Sequence, residues 1–291
     1  MSSEHTVFVC SATGCRQLRE LGWNVHATTR DLTSPAAVAL RDNGVQLTEG
    51  DWDNTEASNA SIAGCDKLFL CLLPNWDDPS CERRQNILKI AKEAGVRQVS
   101  QLDDNVRVAP GSSMEKHMIN KRTIEQTVKD AGFEHYTFLR PTFFMANFLE
   151  PKVRRYAEIR DRRSWTTSMA PETQLPVVDH VDIGKFVAVA LQNPETFYSR
   201  VLGLASDQMG IQKMLDMLAK TAGQPGSICA LFMTDEEIEI QTNMSGFSNS
   251  HKALRTASDY VDMEERKAIV PLTSFREFLE REKELVKQTY H

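Results

Sequence analysis

The chain has 291 residues, enough for one large domain or one domain with a smaller appendage. Apolar residues make up 41% and charged residues 25%, and the net charge of −6 comes from interspersed acids and bases, so no basic block favours nucleic acid or an anionic membrane. No apolar run reaches the ~18 residues of a membrane span, "MSSEHTVFVC" runs into a strand without a signal-peptide pattern, and six scattered cysteines form no Cys-x-x-Cys pair, which favours buried thiols in a reducing cytosol over disulfides or a metal site.

Strands and helices then alternate. "TVFVC" is a short apolar run suited to a strand buried on both faces. "CRQLRELG" predicts a short helix stopped at Gly22, and "NVHATTR" the next strand. "SPAAVALRDNG" predicts a helix with Ser34 as N-cap, Pro35 in its first turn and Gly44 past its end. "VQLTEGD" is a third strand, "TEASNASIAG" a helix, and "CDKLFLCLLP" a strongly apolar fourth strand. In "PSCERRQNILKIAKEAG", Ile87, Ile90, Ala91 and Ala94 share one helical face. "VRQVSQL", the helix "SMEKHMINKRTIEQTVKDAG" and the strand "HYTFLRP" complete the series.

Such alternation implies right-handed crossovers and a doubly wound, mostly parallel sheet. After Pro141 the pattern changes. "FFMANFLEPKVRRYAEI" predicts a helix, and "QLPVVDHVDIGKFVAVALQNP" a strand and then a helix for which Asp182 is a candidate cap. "GIQKMLDMLAKTAG" and "SFREFLEREKELVKQ" are two further helices. The expected division is a first domain over 1–150 with 176–205 returning to it. A smaller, mainly helical part then covers 151–175 and 206–291. The locally basic run "KVRRYAEIRDRR" is interrupted by acids and reads as a solvated helix face more readily than as a binding patch.

In a doubly wound fold the ligand lies at the carboxyl ends of the strands, and the first turn normally carries three spaced glycines. Here Ser11-Ala12-Thr13-Gly14 make that turn and the helix follows at Cys15. A lone glycine leaves two readings open: a reduced phosphate-binding turn at a helix N-terminus, or simply a tight strand–helix connection.

The chain as a whole resembles the NmrA-like family, a branch of the atypical short-chain dehydrogenase/reductases. The resemblance rests on "SATG", "TTRD", "EGDWDN", "LLPNWDD" and "HMINK", and most specifically on "LRPTFFMANFL" and "LPVVDHVDIGKFVAVALQNPETF". It implies a Rossmann-like fold that binds NADP or NAD, with a smaller substrate subdomain. Some members of the family are reductases of small metabolites, and others sense the dinucleotide and regulate a protein partner. The family turn runs Gly-x-x-Gly-x-x-Gly, whereas Ser11 holds its first position here and Gly14 its second. The third glycine is absent, as if about six residues were missing after Gly14. A genuinely shortened loop would weaken pyrophosphate binding.

The implied cofactor-binding set is Ser11, Thr13, Gly14, Arg30, Asp51, Trp52, Leu72, Leu73, Lys121, Thr142 and Phe143. Arg30 follows the second strand, where an arginine suits a ribose 2′-phosphate and an acid would suit a free 2′-hydroxyl, so NADP is favoured over NAD. Asp51 serves equally well as a helix cap. Lys121 stands one helical turn after His117, the spacing of a Tyr-x-x-x-Lys pair with histidine in place of the tyrosine acid. His117 and Lys121 are therefore the catalytic candidates. The usual active-site serine is not evident, since Ser100 comes one place early. Trp76, Phe144, Met145 and Asn147 are the candidate substrate-binding residues, with Asn147 alternatively bridging backbone. His180 beside Asp179 reads as structural, and no residue set has metal-ligand spacing.

These features predict an NADP-dependent reductase, or redox-related tailoring enzyme, acting on a small apolar or aromatic metabolite. The alternatives are a non-catalytic NAD(P) sensor with a protein partner, or a variant impaired in cofactor binding. A cytoplasmic location is expected with the nucleus open, and a homodimer is compatible.

Overall fold

The computed structural model describes residues 5–10, 14–71, 80–103, 115–245, 252 and 254–291, excluding the side chains at 80, 81, 115–118, 120, 121 and 242–245. The chain divides into two compact units. The first comprises Met1–Asn105, Ile119–Arg140 and Ile183–Leu202, and the second Val106–Met118, Pro141–Asp182 and Gly203–His291.

The first unit begins with β1 (Thr6–Val9), α1 (Cys15–Glu20), β2 (Asn24–Thr29), α2 (Pro35–Asp42), β3 (Gln46–Glu49) and α3 (Thr55–Ile62). There follow β4 (Lys67–Leu70), α4 (Ser80–Glu93), β5 (Gln98–Leu102), α5 (Glu115–Asp130) and β6 (His135–Pro141). As the alternation predicts, β1 pairs in parallel with both β2 and β4, and β5 joins β4 to β6. With β10 (Val201–Leu204), the seven-stranded sheet has the order β10-β6-β5-β4-β1-β2-β3. This is a doubly wound, Rossmann-like α/β sheet. All four residues of β4 are buried, which accounts for its unbroken apolar run. One face of the sheet, with Phe8, Leu68, Leu70, Val99 and Phe138, packs on Ile87, Leu88 and Ala91 of α4 and Val128 of α5.

Local signals set several boundaries. The Ser34 side chain accepts from the Ala37 N–H with Pro35 at the first helical position, and Gly44 turns the chain after α2 at φ +81°.

The remaining elements are β7 (Phe143–Phe144), the 3₁₀ turns Met145–Phe148 and Lys152–Tyr156, α6 (Ala157–Asp161), β8 (Ser164–Thr167), β9 (Gln174–Val178), α7 (His180–Gln192) and α8 (Pro194–Phe197). After β10 come β11 (Asp207–Gly210), α9 (Ile211–Thr221), β12 (Cys229–Phe232) and α10 (Asp235–Ser245). The 3₁₀ turn Leu254–Tyr260, α11 (Met263–Ile269), α12 (Phe275–Arg281) and α13 (Lys283–Thr289) end the chain.

Two predicted helices are corrected. "FFMANFLEPKVRRYAEI" is not one helix but β7, two 3₁₀ turns and α6. Phe143 and Phe144 are drawn into a ladder with Val177 and Val178 of β9, and Pro151 lacks the N–H that a continuous helix would need. "SFREFLEREKELVKQ" breaks at Glu282, whose φ −95° and ψ 15° separate α12 from α13. The second unit also holds small sheets, β11-β9-β7 and β12-β8, beside its helices. No helix among the described residues is long and apolar enough to cross a membrane.

The second unit's core is aromatic. The Phe148 ring lies 5.5 Å from Phe143, 5.7 Å from Trp165 and 5.7 Å from Phe275. Buried Tyr290 closes this core and donates its hydroxyl to the Phe148 carbonyl at 2.7 Å. Tyr290→Phe orphans that carbonyl and is expected to lower stability by about 1–3 kcal/mol. Urea unfolding checks this, and an unchanged midpoint would show that the bond contributes nothing net.

Candidate functional site

At the carboxyl end of β1 the Cys10 N–H still bonds the neighbouring strand, donating to the Phe69 carbonyl at 3.1 Å. Ser11 and Thr13 lie outside the described residues. Gly14 is the N-cap of α1 at φ +86°, a left-handed conformation that glycine adopts without strain. A Cβ there would meet its neighbours only at 3.8 Å, so the backbone angle, not crowding, requires glycine. The helix that follows has six residues and no side-chain cap. At 1.5 Å per residue it is ~9 Å long. Its close partner is α7, where a Cβ on Gly184 would stand 2.3 Å from Gln17 Oε1.

Arg30 stands exposed just past the end of β2. The adjacent Asp31 is tied into its own turn, with Oδ1 accepting from the Thr33 N–H at 2.7 Å and the Thr33 hydroxyl at 2.6 Å. The Thr33 hydroxyl and N–H hold the Asp31 carboxyl below the usual range. No described residue forms an ion pair or hydrogen bond with the Arg30 guanidinium. Past β3, Asp51 Oδ1 accepts from the N–H groups of Asp53 and Asn54 at 3.0 and 3.1 Å and closes a turn. The cap of α3 is Asn54, which accepts from Ala57, so Asp51 is not that cap. Trp52, half-buried, packs against the first unit's core.

Leu72, Leu73 and Trp76 lie outside the described residues. At the end of β5 sits a feature that the sequence reading missed. Arg84 Nη1 donates to Asp103 Oδ2 at 3.4 Å with both side chains 4% exposed, and Gln101 Nε2 donates to the same oxygen at 3.4 Å. The signal was present, because Arg84 lies on the apolar stripe of α4 with Ile87, Leu88 and Ala91 at i+3, i+4 and i+7. Ser100 is wholly buried in mid-strand, opposite Phe69 and Thr137, and its Oγ has no partner among the described residues. It therefore presents no hydroxyl at the strand end.

Positions 117 and 121 lie four apart on α5 and share a face. The side chains of His117 and Lys121 are outside the described residues. One turn beyond position 121, buried Glu125 takes a bidentate bond from Arg140 of β6, with Nη2 at 2.8 and 2.9 Å from its two oxygens. This pair fastens α5 to the sheet.

In the second unit, Thr142 donates its hydroxyl to the Leu204 carbonyl at 2.9 Å. Phe143 and Met145 are buried in the aromatic core. Phe144 and Asn147 are half-buried, and Lys152 Nζ stands 5.1 Å above the centre of the Phe144 ring. Asp179, not Asp182, caps α7, because its Oδ1 accepts from the Val181 N–H at 3.2 Å. Asp182 instead accepts from the Thr273 N–H and hydroxyl at 2.7 and 3.0 Å. Asp179 also takes a bidentate pair from Arg281 at 2.6 and 3.1 Å, and His180 Nδ1 lies 3.1 Å away. Burial opposes ionisation of Asp179, but the bonds from His180, Arg281 and Val181 outweigh it and hold the carboxyl far below its ordinary range.

A model of the NmrA-like family matches residues 3–255. An NmrA-like family domain-containing oxidoreductase of Aspergillus japonicus is 25% identical over 234 residues, covering 74% of this chain and 70% of that protein. The fold matches the triphenylmethane reductase of Citrobacter sp. in complex with NADP(H), with TM-score 0.67, 18% identity and coverage of 95% and 99% of the two chains. It also matches NmrA, a negative transcriptional regulator, in complex with NADP, with TM-score 0.68, 14% identity and coverage of 99% and 96%.

The Asp179 network sets an acid dependence. Its folded pKa lies below the unfolded value of about 3.9, so its stabilisation is complete above roughly pH 4 and fades as the pH falls further. Asp179→Asn should be less stable at pH 7 and lose this part of the acid response. Arg281→Met, which leaves a buried carboxylate unpaired, should cost about 2–4 kcal/mol. Urea midpoints between pH 3 and pH 7 measure both effects, and a wild-type acid slope retained in Asp179→Asn would refute the assignment.

Proposed function

This chain belongs to the NmrA-like family, and we propose that it binds NADP(H) at the carboxyl ends of its parallel strands and reduces a small apolar or aromatic metabolite. Arg30 carries the choice of cofactor. Its exposed guanidinium follows β2 with no partner among the described residues, while Asp31 is occupied by Thr33. A planar fork of donors in that position suits a ribose 2′-phosphate.

Bound NADPH supplies a hydride. The chain's own residues bind and orient. Gly14 lets the backbone turn closely at the end of β1, and Ser11 and Thr13 precede it in the turn assigned to the diphosphate. Asp51 and Trp52 border the adenine, while Leu72 and Leu73 line the ribose and nicotinamide side. Lys121 would hold ribose hydroxyls, and His117, one turn earlier on α5, would as its imidazolium give a proton to the substrate oxygen and become neutral imidazole, a transfer suited to near-neutral pH. Thr142 and Phe143 follow β6 on the nicotinamide side. Thr142 spends its hydroxyl on Leu204 and so contributes backbone and shape. Trp76, Phe144, Met145 and Asn147 form the substrate side, with Phe144 and Asn147 offering contact and buried Met145 supporting them from behind.

A second reading is a dinucleotide sensor that regulates a protein partner. It is favoured by the burial of Ser100 in mid-strand and by histidine at position 117. On this reading no quinone, aldehyde or enone oxidises NADPH in the presence of the protein, and retention of a partner differs between NADP and NADPH.

Calorimetry should give micromolar binding of NADPH and much weaker binding of NADH. Arg30→Ala should weaken NADPH about 10- to 100-fold and leave NADH unchanged. Equal affinity for the two cofactors in the wild type would remove the role of Arg30, and no binding of either would support a cofactor-impaired chain. In an assay of NADPH oxidation, Lys121→Ala should lose most activity. Undiminished turnover would reject its assignment.

A further inference from the structure

We propose that Lys152, which stands over Phe144, and Arg155, one 3₁₀ turn after it, recognise an oxyanion group, carboxylate or phosphate, on a flat conjugated substrate. The inference rests on the reductase reading above and specifies its substrate class. Lys152 and Arg155 lie three apart on the 3₁₀ turn Lys152–Tyr156. With three residues per turn, such positions eclipse one another, so the two cations project from one face. Lys152 Nζ stands 5.1 Å above the centre of the Phe144 ring, and Phe144 ends the short strand β7 that follows β6. Two like charges thus share one face of this turn, and one of them lies over a half-exposed aromatic ring.

The acids of this segment do not neutralise them. Glu150 pairs with Arg154 and Arg160, Asp161 pairs with Arg160, and Glu158 accepts from Ser164 and Thr166. Among the described residues no carboxylate forms an ion pair with Lys152 or Arg155. Although Lys152 is exposed overall, local desolvation and then the charge of Arg155 disfavour its ammonium and lower its pKa. An anion placed between the two cations would relieve that repulsion and accept charge-assisted hydrogen bonds from both, while the ring gives a planar ligand an apolar wall. The alternation of acids and bases along "KVRRYAEIRDRR" hid this, because the acids in the run are spent on other partners.

The test is titration calorimetry of the full chain, with and without saturating NADPH, using phenyl phosphate, benzoate, inorganic phosphate and benzyl alcohol. Phenyl phosphate and benzoate should bind, more weakly as salt rises, and at least about tenfold more tightly than benzyl alcohol. Their ratio reports which oxyanion the site prefers. Lys152→Met and Arg155→Met should each weaken both aromatic anions by about tenfold. Phe144→Ala should weaken the aromatic anions but not inorganic phosphate. Lys152→Gln provides a second variant should the methionine variant unfold, as judged by circular dichroism. The proposal is overturned if benzyl alcohol binds as tightly as benzoate, if neither aromatic anion binds, or if the variants leave the anion affinities unchanged. NADPH binding on the same samples separates the two readings: normal NADPH binding without anion binding removes only this proposal, and anion binding without NADPH binding removes only the cofactor reading.

Discussion

The parallel pairing of β1 with β4, from Val7 opposite Lys67 to Val9 opposite Phe69, is the constraint on which the first unit depends. On one side of it the chain builds outward through β2 and β3, and on the other through β5, β6 and β10. The order reverses here, so the connections that leave β1 and β4 depart to opposite sides, the point at which ligands of doubly wound folds generally bind. That reversal follows from burial. With all of β4 covered, the strand can only be central, and the flanking helices must lie on both faces. Gly14, Arg30 and Asp51 then owe their shared position at one edge of the sheet to topology, since each follows the end of a strand that runs in the same direction.

Much of this was legible. The alternation of short apolar runs with amphipathic segments predicts the strands β1 to β6, and Ser34, Pro35 and Gly44 mark α2 to within a residue or two. Legibility failed where tertiary contacts override local pattern. Residues 143–161 have helical composition, yet Phe143 gains more by joining β9 and the aromatic core than by continuing a helix. Asp179 and Asp182 are equally good caps by type, and only the fold decides that Asp179 faces the N–H of Val181 while Asp182 faces Thr273. The assignments to His117 and Lys121 rest on spacing alone. Both positions lie on α5, and their side chains are outside the described residues.

The buried charges form a second level of organisation that periodicity passes over. Arg84 with Asp103 and Arg140 with Glu125 each join a helix to the strand that follows it, and Arg281 with Asp179 joins elements distant in sequence. Lys67 does the same at the opposite ends of the strands, donating to Gln98 Oε1 at 2.7 Å, while Gln98 donates to the Ala190 carbonyl at 3.0 Å. Pairs of this kind add little net stability over apolar substitutes, but a register slip that separated the partners would strand a charge in the interior at a cost of about 3–5 kcal/mol. Their effect is to exclude alternative packings.

The cations of this chain therefore sort by what they touch. Those that fix the fold are buried or half-buried and have their carboxylates in place. Arg30, Lys152 and Arg155 are exposed, and like several other surface cations none forms an ion pair with an acid among the described residues. Nearby acids exist in both places, but Asp31 is turned onto Thr33 and Glu150 onto Arg154 and Arg160. A surface that only needed solubility would gain from letting those acids meet the free cations. With Asp31 and Glu150 engaged elsewhere, Arg30, Lys152 and Arg155 are open to the anionic ligands proposed above.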